Sequence, residues 1–90
     1  YLSTAERELA PQIYATLQQM RELVGKGHAV KVVEQAAASK LARAGFEPDY
    51  AVIRRAEDLS EPAEGEREGL VALIAARLGS TRLIDNLPFD

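Results

Sequence analysis

The hydrophobic positions of this chain follow a helical period in its first half and a strand period in its second. Leu9, Ile13, Leu17, Met20 and Val24 recur at spacings of four, four, three and four, which places them on one stripe of a helix. Ser3 and Glu6 form a capping-box pair ahead of it, with early Glu6 and Glu8 and late Lys26 matching the helix dipole. Pro11 removes a backbone donor and crowds the preceding turn, so a kink is expected there. Gly25 and Gly27 end the helix. A second helix is read from Val30 to Ala44, with Val30, Val33, Ala37, Leu41 and Ala44 as a stripe of small residues. Lys40 and Arg43 fall in its last turn, and Gly45 follows as the left-handed residue that closes it.

After Gly45 the period changes. Asp49 to Arg55 follows Pro48, holds Tyr50, Val52 and Ile53, and reads as a strand. Ser60 to Gly69, with Pro62, Gly65, Gly69 and four Glu, reads as a polar, solvated loop. Leu70 to Leu78 fits either a helical face or a buried strand, because a short apolar run has no decisive period. Gly79-Ser80-Thr81 is turn chemistry, and Arg82 to Leu87 reads as a short strand. The pair therefore favours a hairpin. The architecture expected is α+β: two main helices, the first kinked at Pro11, packed on a small three-stranded, mainly antiparallel sheet. Its strands are Asp49–Arg55, Leu70–Leu78 and Arg82–Leu87.

Ninety residues make one small domain. Composition narrows the chemistry. There is no Cys and a single His, so no disulfide, no thiolate nucleophile and no two-His metal site is available within one chain. Eleven basic against fourteen acidic residues give a net charge of −3, which is no footprint for nucleic acid. No apolar run is long enough to cross a bilayer. Neither nucleic acid nor membrane is expected as a partner.

Individual residues give little chemistry. His28 lacks a neighbouring nucleophile or orienting group and reads as a solvated connector residue. Gly25-Lys26-Gly27 has the look of a phosphate loop but follows a helix and lacks the hydroxyl residue. Gly79-Ser80-Thr81-Arg82 can be read as an anion-holding turn or as a plain hairpin turn. Arg54 and Arg55 are adjacent on a strand, face opposite sides and cannot form one clamp. Asp85 is expected to pair with Arg82 or to cap the turn. Phe46 and Tyr50 read as core or core-edge aromatics.

Several stretches together resemble one family. Tyr1-Leu2-Ser3 with Thr4-Ala5-Glu6-Arg7, then Ala10-Pro11 and Leu17, then Asp49-Tyr50 and Ile53, are similar to the C-terminal domain of the pantoate–β-alanine ligases. Ala75-Ala76-Arg77-Leu78-Gly79 and Thr81-Arg82-Leu83-Ile84-Asp85-Asn86 carry the most specific part. The resemblance implies a lid domain, residues 1–90, of a larger cytoplasmic ligase whose Rossmann-type catalytic domain is absent from this chain. Such an enzyme condenses pantoate with β-alanine through a pantoyl-adenylate, with ATP and Mg as cofactors, releasing AMP and pyrophosphate. Its catalytic motifs, two His and a Ser-Ser-Arg-Asn tract, have no matching position here; the tract is expected just ahead of Tyr1.

The resemblance therefore carries no catalytic, cofactor-binding or metal-binding residue onto this chain, and none is expected to bind a cofactor alone. Lid or hinge contacts are expected at Tyr1, Leu2, Gly79, Ser80, Thr81 and Arg82. The partner is the missing N-terminal domain, through which the parent enzyme is expected to form a homodimer. The isolated chain is expected to self-associate through its exposed docking surface and open strand edges. Two other readings stand beside this one: a self-standing interaction module, and an anion-binding regulatory domain using Gly79 to Arg82.

Overall fold

A computed structural model describes Arg7 and residues 11–89. The element order is α1 (Pro11–Gly25), α2 (Val30–Arg43), β1 (Glu47–Arg55), β2 (Leu70–Leu78) and β3 (Thr81–Pro88). The strands form one sheet in the order β1-β2-β3, antiparallel throughout. The α+β layering read from the sequence is the observed one. The capping pair Ser3 and Glu6, and Leu9, lie outside the described residues. So do residues 8–10, on which the expected kink at Pro11 would fall; Pro11 is the first residue of α1 as described.

Both helices end as their glycines require. In α1 the His28 N–H donates to the Leu23 carbonyl at 3.1 Å and the Gly27 N–H to that of Val24 at 3.0 Å. In α2 the Phe46 N–H reaches Leu41 at 3.0 Å and the Gly45 N–H reaches Ala42 at 3.1 Å. These are paired Schellman closures with Gly27 (φ +96°) and Gly45 (φ +101°) at the left-handed position. The second brings Phe46 back over Leu41, and both are buried.

The predicted stripe of α1 is its buried face: Ile13, Leu17, Met20 and Val24. Thr16 joins it and satisfies its hydroxyl on the Gln12 carbonyl at 2.7 Å. From α2, Val33, Ala37 and Leu41 enter the same core, and the small Ala37 lets the helix lie close to its neighbours. Ala51 and Ile53 of β1 and Leu70, Ala72, Ile74, Ala76 and Leu78 of β2 complete it from the sheet. Each fully buried Leu or Ile here is worth about 1.5–3 kcal/mol of transfer free energy.

The run Leu70–Leu78 is a strand, and its lack of a clear period has a physical cause. It is the central strand, with even positions against the helices. On the opposite face Val71 and Ala75 are also buried. Ala75 sits in a row between Tyr50 of β1 and Ile84 of β3. The larger flanking side chains shade the methyl group, although Tyr50 and Ile84 are themselves 38% and 61% exposed. Tyr50 is thus an outer-face residue, whereas Phe46 is core.

Strand β1 starts two residues earlier than the sequence pattern indicates. Pro48 is tolerated because β1 is an edge strand. A bulge follows it: Pro48 pairs with Ala76 and Tyr50 with Ala75, leaving Asp49 without a cross-strand partner. The outward edge of β1 is not wholly open. Glu34 of α2 accepts the Ile53 N–H at 2.8 Å and an Arg54 Nη1 contact at 3.3 Å, so a side chain occupies the place another strand would take.

Candidate functional site

The β2–β3 turn is a two-residue hairpin loop, Gly79-Ser80, closed by the Leu78–Thr81 pair. Gly79 has φ +63° and Ser80 is not in the left-handed region, the pattern of a type II′ turn that matches strand twist. Gly79, Ser80, Thr81 and Arg82 therefore stand together at one end of the sheet, with Gly79, Ser80 and Arg82 exposed. Tyr1 and Leu2 lie outside the described residues.

Arg82 does not pair with Asp85. The two are three apart on one strand, so their side chains leave opposite faces. Asp85 Oδ1 instead accepts the N–H of Asn86 at 2.8 Å. The partner of Arg82 is Asp49, whose Oδ2 accepts from Nε at 2.8 Å, while Asp49 Oδ1 lies 3.7 Å from Nε of Arg77. Asp49 belongs to β1 and Arg82 to β3, so the contact spans the central strand. The bulge supplies that reach. The Arg82 hydrogen bond, and then the charges of Arg77 and Arg82, hold the Asp49 carboxyl below its ordinary value of 3.8 despite some desolvation.

Arg54 and Arg55 diverge as adjacent strand residues must. Arg54 turns to Glu34 and Arg55 to Glu66. The second pair overturns the expectation of a loosely solvated Ser60–Gly69 loop. Arg55 grips Glu66 with Nη2 on Oε1 at 2.8 Å and Nε on Oε2 at 2.9 Å, and Oε1 also accepts the Ala63 N–H at 2.8 Å. The Arg55 hydrogen bond, then that of Ala63, pulls the Glu66 carboxyl below its ordinary 4.5. Nearby, Asp58 Oδ1 accepts both the hydroxyl and the N–H of Ser60, which lowers its pKa from 3.8.

This ordered loop faces the α1–α2 connector across a cavity of about 520 Å³, lined in part by Gly27, His28, Lys31, Arg54, Glu66 and Arg67. Sequence reasoning missed it, since its two walls are more than thirty residues apart. Lys31 and Arg54 are already engaged by Glu34 and, for Lys31, by Glu61, so the lining is near charge balance. His28 is exposed and, among the described residues, no hydrogen bond or ion pair engages its side chain. Lys26 follows the last residue of α1 and pairs with Glu22 at 3.0 Å, and Gly25–Gly27 closes that helix, whereas a phosphate loop follows a strand. Among the described residues no group of three His, Cys, Asp or Glu could hold a metal ion. None of their helices is long and apolar enough to cross a membrane.

Fold and site together define a two-layer α+β domain with a charged hairpin end and no nucleophile–base pair among the residues described. The family model "Pantoate-beta-alanine ligase" matches residues 1–88. The pantothenate synthetase of Xanthomonas oryzae pv. oryzae (strain PXO99A) is 54% identical over 89 residues, which is 99% of this chain and 31% of that protein. That of Shewanella loihica is 47% identical over 90 residues, covering 100% and 32%. The crystal structure of pantothenate synthetase from Thermus thermophilus superposes with a TM-score of 0.84 at 36% identity, covering 99% of this chain and 32% of that one. The chain belongs to the pantoate–β-alanine ligase family and spans about a third of the length of these relatives.

Proposed function

We propose that this chain is the C-terminal lid domain of a cytoplasmic ligase that joins pantoate to β-alanine. ATP, with Mg, activates pantoate as a pantoyl-adenylate, pyrophosphate leaves, and β-alanine displaces AMP to give pantothenate. The observation that carries this reading is the family match over residues 1–88 in a chain about a third as long as its relatives. The residues themselves fit an accessory role. One His cannot supply the paired donors that stabilise a transferring nucleotidyl group. A rigid two-layer domain can cover a reactive acyl-adenylate and exclude water from it. The catalytic partner is an N-terminal domain, through which the parent enzyme dimerises. The hairpin Gly79–Arg82 and the segment at Tyr1-Leu2 are the lid contact and the hinge.

The test compares two polypeptides supplied with ATP, Mg, pantoate and β-alanine. The 90-residue chain is expected to release no AMP. A polypeptide that adds the encoded region upstream of Tyr1 is expected to turn over, and to lose most of that turnover when residues 1–90 are deleted. AMP release by the chain alone would overturn the reading, as would full activity without it.

A further inference from the structure

The two edges of the sheet are finished differently. On β1 the outward N–H of Ile53 goes to Glu34 at 2.8 Å and that of Arg55 to the Ser60 carbonyl at 2.9 Å. The bulge at Asp49 interrupts what remains of that edge. Strand β3 has no bulge, and its ladder with β2 is regular from Thr81 to Pro88.

The hairpin fixes which groups of β3 face outward. Leu78 and Thr81 close a two-residue loop, so Thr81, Leu83, Asp85 and Leu87 bond to β2. Arg82, Ile84 and Asn86 turn their N–H and C=O groups away from it. Pro88, which has no N–H, also falls on the outward set, where the ladder loses nothing. Among the described residues, the outward N–H groups of Arg82 and Ile84 meet no acceptor. That of Asn86 is held by the Asp85 carboxylate at 2.8 Å. Ile84 is also the most exposed large apolar side chain among the described residues, at 61%. On the helix side of this edge, Ile13, Leu83, Ile84 and Asp85 surround a hollow of about 130 Å³.

We propose that the β3 edge is a self-pairing surface, that its partner is β3 of a second copy of this chain, and that Asp85 guards it. Opposed residues of antiparallel strands share a face, so a twofold axis normal to the sheet must bring one residue opposite itself. With Ile84 opposite Ile84, Arg82 faces Asn86, and all three residues each donate and accept one backbone bond. No neighbouring centre does this. An axis at Arg82 opposes two guanidinium groups, and one at Asp85 opposes two carboxylates. An axis at Leu83 carries Asn86 past the strand into the turn. In the Ile84 register, Leu83 of the second copy stands opposite Asp85, beside the hollow, with Ile13 as an apolar wall. Pairing consumes both β3 edges and leaves only the two β1 edges, which are already closed, so assembly stops at a dimer. Asp85 opposes it twice. Its carboxylate occupies the Asn86 N–H, and pairing sets the two Asp85 side chains at diagonal positions across the new ladder. The inference does not rest on the lid reading.

Sedimentation equilibrium and amide hydrogen exchange on the 90-residue chain test this. A dimer is expected at millimolar protein, with exchange at Arg82, Ile84 and Asn86 slowing as concentration rises. Asp85→Ala is expected to tighten the dimer roughly three- to ten-fold, because it frees a backbone donor for pairing. Ile84→Pro is expected to abolish the dimer and keep the β2–β3 ladder, since the N–H it removes faces outward. If that variant folds poorly, Asn86→Pro deletes an outward donor and leaves Ile84 in place. Tyr50→Ser, on the uncovered face, is expected to leave the dimer Kd unchanged.

A monomer at millimolar protein for both the parent chain and Asp85→Ala would overturn the proposal. So would a dimer without protection at those three amides, or one that survives Asn86→Pro unweakened. A dimer weakened by Tyr50→Ser and indifferent to Asp85→Ala would move the contact from the edge to the face of the sheet and overturn it as well.

Discussion

The two helix-closing glycines share a backbone conformation but not a neighbourhood. A Cβ on Gly45 would meet nothing within 4 Å, whereas one on Gly27 would lie 3.1 Å from Nη2 of Arg67. Both positions have φ near +100°, which costs a Cβ-bearing residue about 1–2 kcal/mol. Gly45→Ala is therefore expected to lower stability by about that amount through backbone strain alone. Gly27→Ala is expected to cost slightly more, because Arg67 must move, and Arg67→Ala should erase the difference. Urea unfolding of these three single variants and of the Gly27→Ala, Arg67→Ala double variant checks this. These glycines were legible in the sequence because a closing turn needs only its own few residues. The Asp49–Arg82 pair was not, since it depends on a bulge and on strand order across 33 positions. The local expectation, Arg82 with Asp85, neglected the alternation of side chains along a strand.

Among the elements, the loop between β1 and β2 departs furthest from its composition. Its glutamates suggest solvated chain, yet Glu66 is held by three guanidinium contacts and one backbone N–H. Glu66 and Asp58 both titrate below their ordinary values in the fold. A carboxylate of lowered pKa contributes stability that is present above its unfolded pKa and is lost as pH falls through the folded one. The urea midpoint is thus expected to fall as pH drops from about 5 to about 3. Glu66→Gln should start lower at neutral pH and show a shallower fall over that range. An equal slope in both proteins would remove Glu66 as a source.

Strand β2 was legible in its limits, because Gly69 and Gly79 bound it, and ambiguous in type, because burial on both faces hides the alternation. The start of β1 was missed since Pro48 reads as an interruption and an edge strand with a bulge absorbs it.

At the scale of the whole molecule, the helices cover one face of the sheet and leave the other uncovered among the described residues. The uncovered face presents Tyr50 and Ile84 on either side of the buried Ala75. Within the proposed lid this is the kind of moderate, partly polar surface that meets a neighbouring domain. Separated from that neighbour, the chain is expected to self-associate at millimolar concentration, and Ile84→Asp is expected to shift it toward monomer. Sedimentation equilibrium decides; a strict monomer for the parent sequence would contradict the expectation. The edge of β1 is a weaker route to association than the sequence indicates, because Glu34 blocks it at Ile53. Layer order and core were readable at this scale from two hydrophobic periods. The cavity between the connector and the loop was not, because no local pattern records which loops face each other.

The bulge at Asp49 also sets how this chain tolerates change in length. Removing one residue from a regular strand turns every later side chain to the wrong face. Asp49 is the exception in β1, because it has no partner and Pro48 and Tyr50 already pair with consecutive residues, Ala76 and Ala75. Its deletion would leave an unbroken ladder with the hydrophobic alternation intact. What would vanish is the tether joining the two outer strands over the central one. The strand thus carries one residue that its own pairing does not require, and the cost of losing it falls on the charged end of the sheet.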